Sequence, residues 1–286
     1  MSDEFIQAAA GNPEVLKMVA GDEFVTAVGY NITYNDYRSR RPVNTMFDFE
    51  IKESGNLLNA LFKLPIDQFV KFTAELWNKF ALTEQVSIAT RLYAGAAIPV
   101  GSSGYAPLSE NFYAGGPNSL RAAPPYTYGP GNFHSTKFNQ NYFHAGEVKL
   151  EANAELRFPL FWKINGAVFI DAGNTWNWRN SFEDITEDEY ESLAQFLGLT
   201  EKLYDGIINN PYLARQIALG TGAGVRLDLD GLVIRLDLGV GIHAPYQTYR
   251  YNKDFTPDYT RPITTYFNMP SVLDALRLNF GIGYPF

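Results

Sequence analysis

The chain has 286 residues, no cysteine and a formal net charge of −8 at neutral pH. This negative charge provides no basic stripe for DNA or RNA, so nucleic-acid binding is excluded as the main activity. Hydrophobic residues make up 46% of the sequence and charged residues 19%, a balance that would also suit a water-soluble domain. Polar residues interrupt every apolar run, so a membrane-spanning helix of about 20 apolar residues is excluded.

The N-terminal segment MSDEFIQAAAGNPEVLKMVAG has no positively charged region followed by an apolar one, and it is therefore not a secretory signal peptide. A protein needs such a signal to reach an outer membrane by itself. If the chain belongs in that membrane, we expect it to be cut from a longer precursor. No linker or shift in composition divides residues 1–286, which we interpret as one structural unit.

Apolar and polar residues alternate with period two in many segments, as they do in β-strands with two different faces. The clearest example is residues 147–158, where one face is wholly apolar and the other is almost wholly ionic. Residues 232–241 and the last segment of the chain repeat this pattern. We predict about nine strands, near residues 24–36, 42–53, 66–79, 85–99, 146–158, 163–173, 215–228, 231–242 and 275–285.

The connections between the predicted strands indicate how the sheet is arranged. Those after the third, fifth and seventh strands are tight turns, such as DLDG at 228–231, whereas those after the second, fourth, sixth and eighth are long. A soluble sandwich also alternates, but it has no reason to sort its loops in this way. Short turns on one side and long loops on the other are typical of outer-membrane barrels. The predicted fold class is therefore all-β, an antiparallel transmembrane β-barrel.

The long connection at about 100–145 contains the most distinctive motif. It reads NFYAGGPNSLRAAPPYTYGPG from residue 111 to residue 131. Its defining residues are a glycine pair and a four-residue string, namely Gly115, Gly116, Ser119, Leu120, Arg121 and Ala122. This loop resembles the sixth extracellular loop of the bacterial outer-membrane protein assembly factors of the BamA and TamA type, and it is most similar to the pattern of their Bacteroidetes members.

Two later strand segments resemble the same family. Residues 150–159 read LEANAELRFP, and residues 168–176 read VFIDAGNTW, which is similar to the F-x-D-x-G-x-x-W segment of the family. The alternating end of the chain resembles the β-signal that is recognised during barrel insertion, carried here by Phe280, Ile282, Tyr284 and Phe286. Gly281 and Gly283 lie between these residues. They fit either a strand that opens easily or one that faces a crowded lumen.

The resemblance implies that the chain forms about nine C-terminal strands of a roughly sixteen-stranded barrel. It also implies that the loop at 100–145 folds inward and that residues 174–214 form an extracellular loop. In the family, the loop arginine, here Arg121, pairs with acidic residues of the lumen, which correspond to Asp171 and Glu155. A guanidinium group that meets carboxylates fixes position as well as adding energy. At the tip the loop departs from the family, with Ala122 where glycine is common and Ala123 where an aromatic residue is usual.

The function that the resemblance implies is assembly, insertion or translocation of other proteins at the bacterial outer membrane, without covalent chemistry or a cofactor. The implied partners are outer-membrane lipids, client outer-membrane or surface proteins, the N-terminal strands of the barrel, and periplasmic POTRA-like domains or accessory subunits. Two alternatives stay open. One is a two-partner-secretion transporter or passive channel on the same barrel, and the other is a soluble all-β binding domain.

The remaining motifs carry no predicted chemistry. His134, His144 and His243 show no ligand spacing, so we expect no metal site. The string GSSGY at 101–105 lacks the spacing of a nucleophile elbow, and we expect no catalytic residue. The acidic run at 183–189 precedes apolar residues at helical spacing and predicts a short surface helix within the 174–214 loop.

Overall fold

The computed structural model describes residues 25–36, 42–62, 66–101, 106–134, 144–179, 206–209, 211, 213–229, 232–252, 257–269 and 276–286. The strands in these ranges are β1 (Ala27–Asn35), β2 (Val43–Ser54), β3 (Phe69–Ala81), β4 (Ser87–Pro99), β5 (Val148–Phe161), β6 (Ile164–Trp176), β7 (Ala218–Asp228), β8 (Val233–His243), β9 (Tyr249–Tyr251), β10 (Pro257–Pro262) and β11 (Leu276–Ile282). Helix α1 spans Asn56–Phe62. Within the described ranges, no helix has the length and apolar character needed to cross a bilayer.

Nine of these strands form one antiparallel sheet in the order β1-β2-β3-β4-β5-β6-β7-β8-β11. Each strand pairs with its neighbour in this order, and β1 and β11 are the two edges. The nine strands predicted from alternation are thereby confirmed. Strands β9 and β10 form a separate hairpin within the eighth connection. They were not predicted, because strands of three and six residues are too short to show a clear alternation.

The sheet exposes its apolar face and buries its charged face. In β5, Leu150 is 39% exposed, whereas Glu151 and Glu155 are 4% and 1% exposed. In β8, Leu236 is 42% exposed and Asp237 is fully buried. A soluble sandwich would bury the leucines and leave the carboxylates in water. The reversed pattern is that of a membrane barrel, in which the outer face meets lipid and the inner face is polar.

The buried polar face is concave. Asn35 of β1 and Asn44 of β2 line the same cavity as Arg226 of β7 and Phe286 at the end of the chain. Residues at opposite ends of a nine-stranded sheet can share a cavity only if the sheet curls around it. The polar face is therefore the lumen side of the barrel wall.

The connections are sorted by length, as predicted. The tight turn between β5 and β6 is only Trp162 and Lys163, whereas 48 residues separate β4 from β5. Helix α1, in the connection between β2 and β3, was not predicted. It begins after Gly55, whose φ is +72°, and the Glu53 carboxylate accepts the first free N–H, that of Asn56, at 2.6 Å. The surface helix predicted at 183–199 lies outside the described residues.

The last residues of the chain leave the sheet after Ile282, contrary to the prediction. Gly283 has a φ of +83°, a conformation that favours glycine and that turns the chain. The rings of Tyr284 and Phe286 then lie 4.3 and 5.7 Å from the Arg157 guanidinium on the lumen side. The alternation predicted for the last segment therefore ends at Ile282, and Tyr284 and Phe286 do not share the face of Phe280 and Ile282.

Candidate functional site

The loop between β4 and β5 lies on the concave face and is tied to its rim by Glu110. This carboxylate accepts hydrogen bonds from Lys52 of β2 and from Lys71 of β3, the latter at 3.2 Å. Lys71 also donates to the Glu110 carbonyl oxygen at 2.8 Å. Burial alone would raise the pKa of Glu110, but the hydrogen bonds and charges of the two lysines hold it below its usual value. We call these three residues the rim anchor.

Deeper in the lumen, residues 116–123 form the loop tip. The Gly116 N–H donates to the Ala123 carbonyl oxygen at 3.0 Å and closes the tip. Gly115 and Gly116 have φ values of +102° and +99°, which L side chains rarely adopt. A side chain at Gly115 would also collide with the Pro124 carbonyl oxygen. The glycine pair therefore supplies the reversal that turns the loop into the barrel.

Arg121 lies at the centre of the tip and contacts both acids with which the family resemblance pairs it. Its Nε and Nη2 donate to the two oxygens of Asp171 at 2.9 and 2.8 Å, a bidentate arrangement. Its Nη1 donates to Glu155, and its backbone N–H donates to Asp171 at 3.0 Å. All three side chains are fully buried. We call Arg121, Asp171 and Glu155 the tip cluster.

Further charges on the wall complete the tip cluster. Glu155 also accepts from Arg226 at 3.0 Å and from Arg157 at 2.8 Å, and Arg226 donates to Asp237 at 2.5 Å. Glu155 thus receives three guanidinium groups. Sequence reasoning missed Arg226, because the other inward positions of β7 include glycines, which hide the alternation that would have marked its polar face.

A second group of polar residues holds the tip from the side of β4 and β5. Arg91 donates to Glu75 and Glu151, and Glu151 in turn accepts from the hydroxyl of Ser119. Asn153 donates to the Ser119 carbonyl oxygen and to Asp171, both at 2.9 Å, and so joins this group to the tip cluster. Ser119 belongs to the predicted motif. Arg91 does not, although its charge in an apolar strand was a visible signal.

Apolar contacts support the tip from the other side. The Arg121 guanidinium lies 3.6 Å from the centre of the Phe169 ring, which is a cation–π contact. Leu120 and Ala123 are 3% and 1% exposed and pack in a cluster that also contains Ala114, Tyr128 and Ala218. The loop departs from the family pattern at Ala122 and Ala123. At these positions the tip packs with small side chains instead of an aromatic ring.

Two histidines lie in the later part of the loop, where His144 is buried and His134 is partly buried. The His134 ring stacks on Tyr246 with 3.8 Å between ring centres, and His144 Nδ1 lies 3.1 Å from the Gly129 carbonyl oxygen. Burial, with a smaller effect of His144, lowers the pKa of His134 to about 4. His243 lies elsewhere, 2.7 Å from the Arg215 carbonyl oxygen. Among the residues that the structure describes, no three histidine or acidic side chains are grouped to hold a metal ion.

The predicted C-terminal signal residues divide between the two sides of the wall. Phe280 and Ile282 face outward and are 66% and 68% exposed. Phe286 lies inside, with its ring centre 5.5 Å from the Arg121 guanidinium. Gly281 of the same strand faces the crowded side chain of Arg235, where a side chain would collide. The glycine of β11 thus faces a crowded part of the lumen.

Several solved structures are similar to this chain at low sequence identity. Among solved structures, BamA from Haemophilus ducreyi lacking POTRA domains 1–3 is similar at 14% identity and a TM-score of 0.50, over 84% of this chain and 44% of that one. CdiB from Escherichia coli has 14% identity and a TM-score of 0.48, over 90% of this chain and 36% of that one. The chain therefore spans less than half the length of each structure. A search of curated proteins found no match.

The similarity to BamA at this level of identity supports the barrel fold and carries nothing about activity. The family follows from a different comparison, which uses the sequence. A model described as the Omp85 superfamily domain matches residues 54–286, from the end of β2 to the last residue, and includes the whole loop with its tip. Because this match covers more than half of the chain, the chain belongs to the Omp85 superfamily.

Proposed function

We propose that the chain is the C-terminal part of an integral outer-membrane barrel that inserts or translocates other proteins without covalent chemistry. The observation that carries this proposal is the fully buried tip cluster, in which a loop arginine is held by two acids of the barrel wall. Such a cluster needs no substrate to be complete. Its function is to hold the loop inside the lumen, and so to determine the state of the barrel.

The outer face supports a location in lipid. Large apolar side chains project outward from most strands of the sheet, including Ile32, Leu92, Leu150, Val168, Val225, Leu238 and Phe280. A soluble protein that exposed so much apolar surface would aggregate. Lipid acyl chains are the partner that this face fits.

The two sheet edges support strand exchange with a client. Strands β1 and β11 each pair on one side only within the described residues. Lipid cannot satisfy the free N–H and C=O groups of an edge, so we propose that further strands close the barrel. Within the described part of the chain, β11 pairs with β8 from Leu276 to Ile282, and its other side is the edge. An incoming client strand could replace the closing strand at this edge by β-augmentation.

The second candidate function is secretion of a polypeptide through the lumen, and one observation favours it. A cavity of about 520 Å³ opens at the short-turn end of the lumen. Lys79 and Arg157 line it together with the aromatic rings of Trp77, Phe158 and Tyr284. Cations and aromatic rings suit an extended chain better than an inorganic ion. A passive channel is less well supported, because the buried loop tip lies inside the lumen.

The experiment that tests the proposal uses the full-length polypeptide that contains this chain, reconstituted in proteoliposomes. A urea-denatured barrel protein is added, and its insertion is followed by the shift of the folded band on unboiled gels. We expect insertion to be faster than in empty liposomes and to be lost with Asp171→Ala. The secretion function is correct instead if insertion equals that of empty liposomes and an unfolded polypeptide crosses the bilayer into the interior of the proteoliposome.

A further inference from the structure

Two glycines of the barrel wall lie directly beneath the loop tip. They are Gly220 of β7 and Gly239 of β8, on neighbouring strands. A side-chain carbon at Gly239 would lie 2.9 Å from Cα of Ala122 and from the carbonyl carbon of Arg121. A side-chain carbon at Gly220 would overlap the methyl group of Ala122. The backbone of the tip thus occupies the space that two side chains would otherwise fill.

The backbone conformation does not explain these glycines. Neither Gly220 nor Gly239 is among the glycines of positive φ, so an alanine could adopt either conformation. At Gly220 the next nearest atoms are the Val240 carbonyl oxygen at 3.5 Å and Cα of Ala122 at 3.7 Å, which are ordinary contacts. The single severe obstacle to a side chain at Gly220 is therefore the Ala122 methyl group.

The seated tip is also bonded to the edge strand. Asn279 of β11 donates to the Arg121 carbonyl oxygen at 2.7 Å. A second connection runs through Arg235 of β8, which donates to the side chain of Asn118 in the tip and packs over Gly281 of β11. The tip therefore contacts β7, β8 and β11 in addition to the acids of β5 and β6.

We propose that Gly220 and Gly239 form a glycine seat, that the methyl group of Ala122 is matched in size to it, and that the seated tip restrains β11 through Asn279. The acids of the tip cluster hold Arg121 by charge, whereas the glycine seat selects the residue that follows by size. The geometry of the seat is independent of the proposed function. Only the consequence of releasing β11 rests on that function.

The test compares five variants of the full-length protein in detergent micelles. Trypsin is added, and mass spectrometry follows the new terminus at residue 122, because the bond between residues 121 and 122 is buried when the tip is seated. Gly220→Ala should speed this cleavage by roughly ten-fold or more, as overpacking does in a tight site. The double variant Gly220→Ala/Ala122→Gly should return to slow cleavage, because it removes the one obstructing methyl group.

Three further variants make the test specific. Gly239→Ala should also speed cleavage, but adding Ala122→Gly should not restore protection, because the obstacle there is backbone. Gly29→Ala in β1 is the matched control and should leave cleavage unchanged, since its nearest contact would be an ordinary 3.5 Å. Hydrogen exchange of residues 276–282 should rise with Gly220→Ala and fall again in the double variant.

Each outcome is decisive. Slow cleavage of Gly220→Ala would overturn the glycine seat, and so would a double variant in which Ala122→Gly does not restore slow cleavage. Hydrogen exchange in β11 that is the same in Gly220→Ala and in wild type would also overturn it. If Gly220→Ala does not fold, the double variant still tests the glycine seat. Its cleavage should be as slow as that of wild type, whereas cleavage of Gly239→Ala should be faster. Cleavage that follows the expected pattern while client insertion stays unchanged would support the seat and would contradict the proposed function.

Discussion

The loop is tied to the barrel wall at two places that use the same chemistry in different surroundings. At the tip cluster, Arg121 meets Asp171 and Glu155 with no exposed side-chain surface. At the rim anchor, Lys52, Lys71 and Glu110 keep between 13% and 27% of their side-chain surface exposed. Water screens the rim anchor, so its contribution is small. In the buried tip cluster, removing one partner leaves the other charges buried and unpaired. The loss of stability is therefore much larger there.

The largest effect is expected from Asp171→Ala. This change leaves the buried Arg121 without its bidentate partner and should destabilise the seated loop by about 3–5 kcal/mol, the usual cost of breaking a buried ion pair. Hydrogen exchange of residues 111–131 in the full-length protein measures the effect. Arg121→Ala should act similarly.

The matched control for this change is Leu150→Ile on the outward face, where lipid tolerates either aliphatic side chain. Leu236→Ile serves the same purpose on β8. Equal and negligible effects of the control and of Asp171→Ala would contradict the view that the tip cluster holds the loop.

Arg121→Lys separates charge from geometry at the tip. Lysine keeps the positive charge but cannot reproduce the planar fork that contacts Asp171 and Glu155 together. We expect a loss of about 2–3 kcal/mol, since at least one charge-assisted hydrogen bond is left unmade. The measurement is protection of the bond after residue 121 against trypsin. Protection equal to that of wild type would show that charge alone is sufficient.

Low pH should destabilise the loop through protonation of His134. The pKa of His134 is about 4 in the folded protein and about 6.5 when unfolded, so the unfolded form binds the proton more readily. The contribution of uncharged His134 is therefore full above pH 6.5 and is lost as the pH falls toward 4. We expect a loss of about 2 kcal/mol between pH 7 and pH 5, measured as a fall in Tm.

The variant His134→Phe is the control for this pH dependence. It keeps the stacking on Tyr246 but has no group that titrates, so its Tm should fall less over the same pH range. A Tm that falls as steeply as in wild type would assign the acid effect to other groups, such as His144 or the buried carboxylates.

The smallest effect is expected at the rim anchor. Glu110→Gln removes the charge but keeps a hydrogen-bond acceptor for both lysines, so we expect a loss of less than about 1 kcal/mol. Raising the salt concentration should reduce the difference from wild type further. Salt-dependent hydrogen exchange of residues 106–112 is the measurement. A loss as large as that of Asp171→Ala would remove the contrast between the two anchors.

The alternation of apolar and polar residues predicted the fold because the polarity of each side chain matches the side of the sheet on which it lies. Apolar and polar residues alternate along β5, so its apolar face and its polar face could be assigned without any structure. The same reasoning failed in β7, because glycines occupy inward positions there and have no side chain whose polarity could mark the inward face. It failed at Tyr284 and Phe286 because one positive φ at Gly283 reversed the side on which they lie.

The tip cluster was predicted through the family resemblance, which paired Arg121 with Asp171 and Glu155. The residues around it were not predictable, because their roles depend on contacts between distant parts of the chain. Arg226 reaches Glu155 from two strands away, and Gly220 matters only because Ala122 lies above it. No local pattern of residues encodes such contacts.

The bond between Asn279 and the Arg121 carbonyl oxygen joins residues 158 positions apart. Such a contact must wait until the intervening strands have formed, since closing so long a loop earlier would cost entropy without reward. Seating of the tip should therefore be among the last and slowest steps of folding. A chain arrested before that step would hold a complete sheet around an unfilled lumen, and trypsin would cleave after Arg121 until the tip is seated.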